Sequence, residues 1–94
     1  MTEETALKRQ IKDYLKLKGW FVYHNLAGIG VYPGLADMSA IKDGRVLQLE
    51  VKIKSGGRVS QHQQEFWRQW TGHGGEYYVV HGVEEVIRIC EGEK

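Results

Sequence analysis

Apolar residues near the start of the chain recur at helical spacing. Leu7, Ile11, Tyr14 and Leu15 fall on one face of a helix running from about Glu3 or Glu4 to Lys18. Thr2 is placed to cap it, acidic residues occupy the first turn where the helix dipole favours them, and Gly19 ends it. Trp20 to Tyr23 is a short aromatic and β-branched run, read as a first strand. Asn25 to Gly34 holds three glycines and the only proline, which marks a loop. The period then shortens to two. Ala36 to Lys42 and Arg45 to Ile53 read as paired strands. Leu47, Leu49, Val51 and Ile53 share one face, the core side, while Val46, Gln48, Glu50 and Lys52 share the other. Ser55-Gly56-Gly57 reads as a turn. Ser60 caps a second helix through about Trp70, with Phe66, Trp67 and Trp70 as its apolar stripe. Gly72 to Gly75 breaks that helix, Glu76 to His81 reads as a fourth strand, and Val83 to Cys90 as a last helix with Val83, Val86, Ile87 and Cys90 inward. The expected order is αβββαβα in an α/β domain.

The turn between the paired strands fixes their register. Asp43-Gly44 between apolar-rich runs is a strong two-residue hairpin signal. With those two residues as the loop, Lys42 opposes Arg45, Ile41 opposes Val46, and Asp37 falls across from Glu50. Two opposed carboxylates repel each other and weaken a sheet. A divalent cation between them reverses the sign of that interaction. Lys52 lies on the same face as Glu50, two residues on. Asp37 and Glu50 are therefore candidate ligands for Mg2+ (or Mn2+), which prefers oxygen and takes only one or two carboxylates. The Val51 backbone carbonyl is a further oxygen within reach, and Lys52 can orient a water or stabilise developing negative charge. That donor set suits phosphodiester hydrolysis. The competing reading is a solvated Glu-x-Lys salt bridge on an exposed strand. A three-residue loop around Gly44 would also move Glu50 out of line.

Ninety-four residues make one small domain whose limited core makes dimerisation useful. A single cysteine, Cys90, excludes an intrachain disulfide and a cysteine-rich zinc site, and it fits an intracellular, cytoplasmic setting. No apolar run is long enough to span a bilayer, and no signal-peptide pattern opens the chain. The net charge of +1 conceals an uneven spread: residues 1–75 carry a balance of +4 and residues 76–94 a balance of −3. Lys8, Lys12, Lys54 and Arg58 are candidate DNA contacts within the basic part, against the plainer reading of ordinary helix surface. The four histidines have no metal-ligand spacing.

Three segments carry a family resemblance: Gly34-Leu35-Ala36-Asp37, then Glu50-Val51-Lys52, then Ser60-Gln61-His62-Gln63. Together they resemble the VRR-NUC family of the PD-(D/E)XK nuclease superfamily. The match spans nearly the whole chain and looks like the stand-alone, phage-type members, whose proteins act inside the bacterial host. The resemblance implies one VRR-NUC nuclease domain over residues 1–94, with a restriction-endonuclease-like core and a mixed sheet flanked by helices. It implies that Asp37 and Glu50 bind metal and that Lys52 is the catalytic lysine. Gln63 would support the active site or approach the phosphate, although Gln61 and Gln64 compete for that position. Glu4 would be the acidic residue of the first helix, reaching the metal directly or through water. Periodicity sets Glu4, not Glu3, on the face of Ile11 and Leu15, though a helix-dipole residue at a frayed end is a rival reading. The resemblance further implies a homodimer acting on branched, Holliday-junction-like DNA. The alternative is a non-catalytic nucleic-acid-binding module on the same fold. Here the acid stands three residues beyond Pro33-Gly34 and not next to it, which follows the VRR-NUC style more than the literal superfamily label.

Overall fold

The computed structural model describes residues 2–26, 28–53 and 59–92. The elements are α1 (Glu3–Leu17), β1 (Phe21–His24), β2 (Met38–Lys42), β3 (Arg45–Val51), α2 (Gln61–Gly72), β4 (Glu76–Val80) and α3 (Val83–Cys90). The order is the one expected from the periodicity. The four strands form one mixed sheet in chain order: β1–β2 and β2–β3 are antiparallel, and β3–β4 is parallel. The parallel pair is possible because α2 carries the chain back across the sheet between β3 and β4.

The hairpin register is the expected one. Lys42 pairs with Arg45 and Met38 with Leu49. Asp43 (φ 50°) and Gly44 (φ 83°) are both left-handed, as a two-residue turn of matching twist requires. The ladder is nevertheless shorter than the apolar run. It stops at Met38, so Ala36 and Asp37 lead into β2 and do not belong to it, and Lys52 and Ile53 lie past the end of β3.

α1 and α3 cover one face of the sheet. Ile11, Leu15, Val22, Met38, Ala40, Leu47, Leu49, Val51, Val80, Val86 and Ile89 form the core there. In α3 the buried residues are Val86, as expected, and Ile89. Cys90, expected to point inward, is partly buried and packs against the same core. Trp20 lies just before β1 and not in it: its N–H donates to the Leu15 carbonyl at 2.9 Å, and its ring is buried under Arg45. Arg45 in turn makes two hydrogen bonds to the Glu76 carboxylate, at 2.7 and 2.9 Å.

α2 covers the opposite face, but only on its β4 side. Trp67 stacks on Tyr77, and Phe66 stacks on Trp70. Gln48 and Glu50 are therefore buried, although the alternation predicts a second, non-packing face for them. Beyond α2, Phe21 is 68% exposed, Tyr23 49% and Ile41 43%. Among the described residues no helix is long and apolar enough to cross a membrane.

Candidate active site

Asp37 is delivered by a loop fixed at two points. Gly34 has φ +84°, and a β-carbon there would land on the His62 carbonyl oxygen. Only glycine lets this backbone lie flush against the first turn of α2. On the other side, Asn25 clamps the chain next to Asp37. Its N–H donates to the Asp37 carbonyl at 2.9 Å, and its side-chain amide donates to the Ala36 carbonyl at 2.9 Å and to Gln48 Oε1 at 3.2 Å. Ser39 Oγ donates to Asn25 Oδ1 at 2.9 Å, and Gln48 Nε2 donates to Ser39 Oγ at 2.7 Å. These three side chains close a buried polar cluster beneath the site. The sequence reading gave none of them a role. The available signal was Gln48, an amide two residues before Glu50 on the same face of an otherwise apolar strand.

The Asp37 carboxylate continues the hairpin ladder by other means. Its Oδ2 accepts the Val51 N–H at 2.7 Å, so a side chain replaces the next backbone partner. Val51, expected to offer its carbonyl, also meets the site through its amide. Asp37 Oδ1 is 3.1 Å from Lys8 Nζ, and the same ammonium is 3.0 Å from Glu4 Oε2. Lys8, expected at a DNA surface, instead reaches into the acidic group. Glu4 is not on a buried face: its side chain is 49% exposed, because the first turn of α1 runs past the edge of the core. Among the described residues its link to Asp37 runs through Lys8.

Glu50 is 6% exposed. Burial pushes its carboxyl above the ordinary range. The Asp37 charge pushes it further, while the Gln63 side chain and Lys52 act against the shift. Lys52 Nζ is 3.3 Å from Glu50 Oε2, and its N–H donates to the Val80 carbonyl at 3.0 Å, which ties the strand end to β4. Gln63 is the third residue of α2. Its Oε1 accepts the Ser60 N–H and its own N–H donates to Ser60 Oγ, both at 3.1 Å, a reciprocal capping box. With the amide oxygen so committed, the amide NH2 is left to serve Glu50. Gln64 donates instead to the Val59 carbonyl at 3.0 Å, and Gln61 lies exposed, so Gln63 is the glutamine the fold brings to the acids. Tyr77, beside Gln48 in the sheet, is held above its ordinary value by burial and then by the charges of Glu50 and Asp37.

A cleft of about 640 Å³ opens beside Lys52 and Gln63, lined also by Val59, Ser60, Gln61 and Gln64. Lys12 is half-buried on α1, and its charge helps hold His24 below its ordinary value, after the larger effect of burial. Lys54 and Arg58 lie outside the described residues.

The donor set fits a hard divalent cation. Asp37 and Glu50 offer only oxygen, and the ionised form of Glu50 is penalised by burial and by its acidic neighbour, both of which a cation would relieve. Among the described residues no three His, Cys, Asp or Glu side chains cluster as ligands. Water and substrate oxygens would complete the shell, as is usual for Mg2+.

Comparison with known proteins gives a likeness in structure alone. No protein-family model matches the chain, and no curated protein matches it. A solved structure described as a VRR_NUC domain superposes with a TM-score of 0.81 at 19% identity, covering 100% of both chains. A second, described as a VRR_NUC domain protein, gives 0.76 at 20% identity, covering 96% of this chain and 86% of that one. At such identities the likeness speaks to fold, and it does so over the full chain: this protein has the VRR-NUC fold.

Proposed function

We propose that residues 1–94 form a metal-dependent DNA endonuclease, a phosphodiester hydrolase acting on branched or structured DNA. One observation carries this reading. On a fold shared with VRR_NUC domains, Asp37 and Glu50 converge at the end of the β2–β3 hairpin with Lys52 bound to Glu50 and Gln63 above it. Glu50 is a buried carboxylate whose charge is disfavoured beside a second acid, and a bound cation would relieve that cost.

The residues divide the work. Asp37 and Glu50 would hold Mg2+ or Mn2+, which when bound would neutralise phosphate charge and favour ionisation of a water. Lys52 presents an ammonium at the mouth of the cleft, where it can orient the attacking water or offset charge that develops on the phosphate. Gln63 fixes the Glu50 carboxylate and ties its position to the start of α2. The cleft beside them is lined by amides and a hydroxyl, which suits a sugar-phosphate backbone. Branched DNA as substrate rests on the family resemblance. A symmetric homodimer follows from the need to cut two strands with one site per chain. The bare side chains of Phe21, Tyr23 and Ile41 support a second copy on that face.

The test is cleavage of linear, flap and four-way DNA by the purified protein, with and without Mg2+ or Mn2+. Asp37→Ala and Lys52→Ala are each expected to lower the rate by at least about a hundredfold while leaving the fold intact. Wild-type cleavage by both folded variants would refute the assignment. Tight DNA binding with no cleavage by the wild type would favour a non-catalytic binding module.

A further inference from the structure

Lys8 has no part in the proposed chemistry, yet it makes the closest ionic contact to Asp37 among the described residues. Its ammonium lies 3.1 Å from Asp37 Oδ1 and 3.0 Å from Glu4 Oε2. The other Asp37 oxygen is engaged by the Val51 N–H at 2.7 Å. The carboxylate thus has one face fixed by backbone and the other covered by a side-chain cation. Lys8 stands one helical turn after Glu4, the spacing at which an acid preceding a lysine forms a favourable pair on a helix. One ammonium is therefore shared between two acids, Asp37 and Glu4.

We infer that Lys8 is the internal counter-ion of the metal-free site and competes with the divalent cation for Asp37, while Glu4 receives it when it leaves. This inference rests on the proposed metal site and adds a regulation of its affinity. The electrostatics fix its direction. A positive charge about 3 Å from a ligand oxygen stabilises that ligand without metal, and it repels an arriving divalent ion. Both contributions vanish when Lys8 loses its charge. Glu4 acts oppositely: a carboxylate one turn away draws Lys8 off Asp37 and so favours the metal. Lys8 is a positioning residue here, acting through Asp37 and not on substrate. Half the Glu4 side chain faces water and a quarter of the Lys8 side chain does. The competition is therefore modest, a tuning of affinity and not a block.

The experiment is calorimetric titration of the wild-type protein, Lys8→Met, Lys8→Arg, Glu4→Gln and the Lys8→Met/Glu4→Gln double variant with Mn2+ alone, without DNA. Lys8→Met is expected to bind Mn2+ about five- to tenfold more tightly and to melt at a lower temperature without metal. Lys8→Arg keeps the charge and is expected to stay near the wild type. Glu4→Gln is expected to weaken binding more in the wild-type background than once Lys8 is Met, a coupling that the double variant measures. If Glu4 were itself a ligand, its loss would weaken binding at least as much once Lys8 is Met, and the receiving role would be wrong. Unchanged or weaker Mn2+ binding by folded Lys8→Met, repeated in Lys8→Gln, would overturn the competition while leaving the metal site standing. Absence of Mn2+ binding in every variant would instead refute the site, and this inference with it.

Discussion

Glu50 is a carboxylate that folding makes less acidic. Burial is the main cause, with the Asp37 charge adding to it and Gln63 and Lys52 opposing it. In the unfolded chain the same group ionises in the ordinary carboxylate range. Between those two points the folded protein binds more protons than the unfolded one. Stability from this group is thus complete at acidic pH and is lost as pH rises through the folded-state value. Glutamine never ionises. Glu50→Gln is therefore expected to raise the melting temperature of the metal-free protein near neutral pH, and the gain should shrink as pH falls below the ordinary range. Melts at about pH 7 and about pH 3.5 check this. A gain of equal size at both would mean that packing, not charge, is responsible. On the proposed metal site, Mn2+ is expected to raise the melting temperature of the wild type and not that of this variant.

At the level of elements, the site depends on a loop that must touch a helix. The Asp37 segment lies against the start of α2 because Gly34 has neither a side chain nor a preference against positive φ. Gly34→Ala introduces strain and a clash with the His62 carbonyl together, and is expected to cost about 2–4 kcal/mol. In a domain of this size that lowers the melting temperature by roughly 10–25 °C. Denaturant titration measures it directly, and a loss under about 1 kcal/mol would show that the loop relaxes away from α2.

These contacts also explain what could be read from the sequence. Periodicity and turn chemistry are local, so α1, the Asp43-Gly44 turn, the hairpin register and the Ser60 cap were all legible. Ladder ends were not, because the chain before Met38 leaves β3 while β3 itself runs on to Val51, and Asp37 meets the Val51 N–H through its side chain instead. The Ser39–Gln48 pair follows from the hairpin register, but Asn25 joins it from the end of β1, and no spacing announces that third member. Glu4 shows the limit most plainly. Its helical phase matches Ile11 and Leu15, but phase does not say how far the core extends along the axis.

On the scale of the whole molecule, the two faces of the sheet are unequally covered. α1 and α3 share one face, whereas α2 leaves the β1–β2 side of the other bare. β1 is also an edge strand with backbone groups free on one side. Phe21, Tyr23 and Ile41 are uncharged and neighbour one another across β1 and β2, so two copies can meet there without bringing like charges together. A dimer through this face is expected in sedimentation analysis, and Phe21→Glu with Ile41→Glu should yield a folded monomer that still binds Mn2+. A wild-type protein that is monomeric at high micromolar concentration would argue against paired sites.

The two-residue turn at Asp43-Gly44 has a consequence for how this chain can change. It acts as a ruler between the acids, because strand pairing propagates register without slack. One residue inserted there would turn either Asp37 or Glu50 to the far side of the sheet while every apolar contact looked for a new partner. The loop between β1 and β2 ends in fixed points at Asn25 and Gly34, so its tip can lengthen without moving Asp37. Insertions should therefore be tolerated between those points and be ruinous at the turn. Where this domain can grow is set by how the site measures its own width.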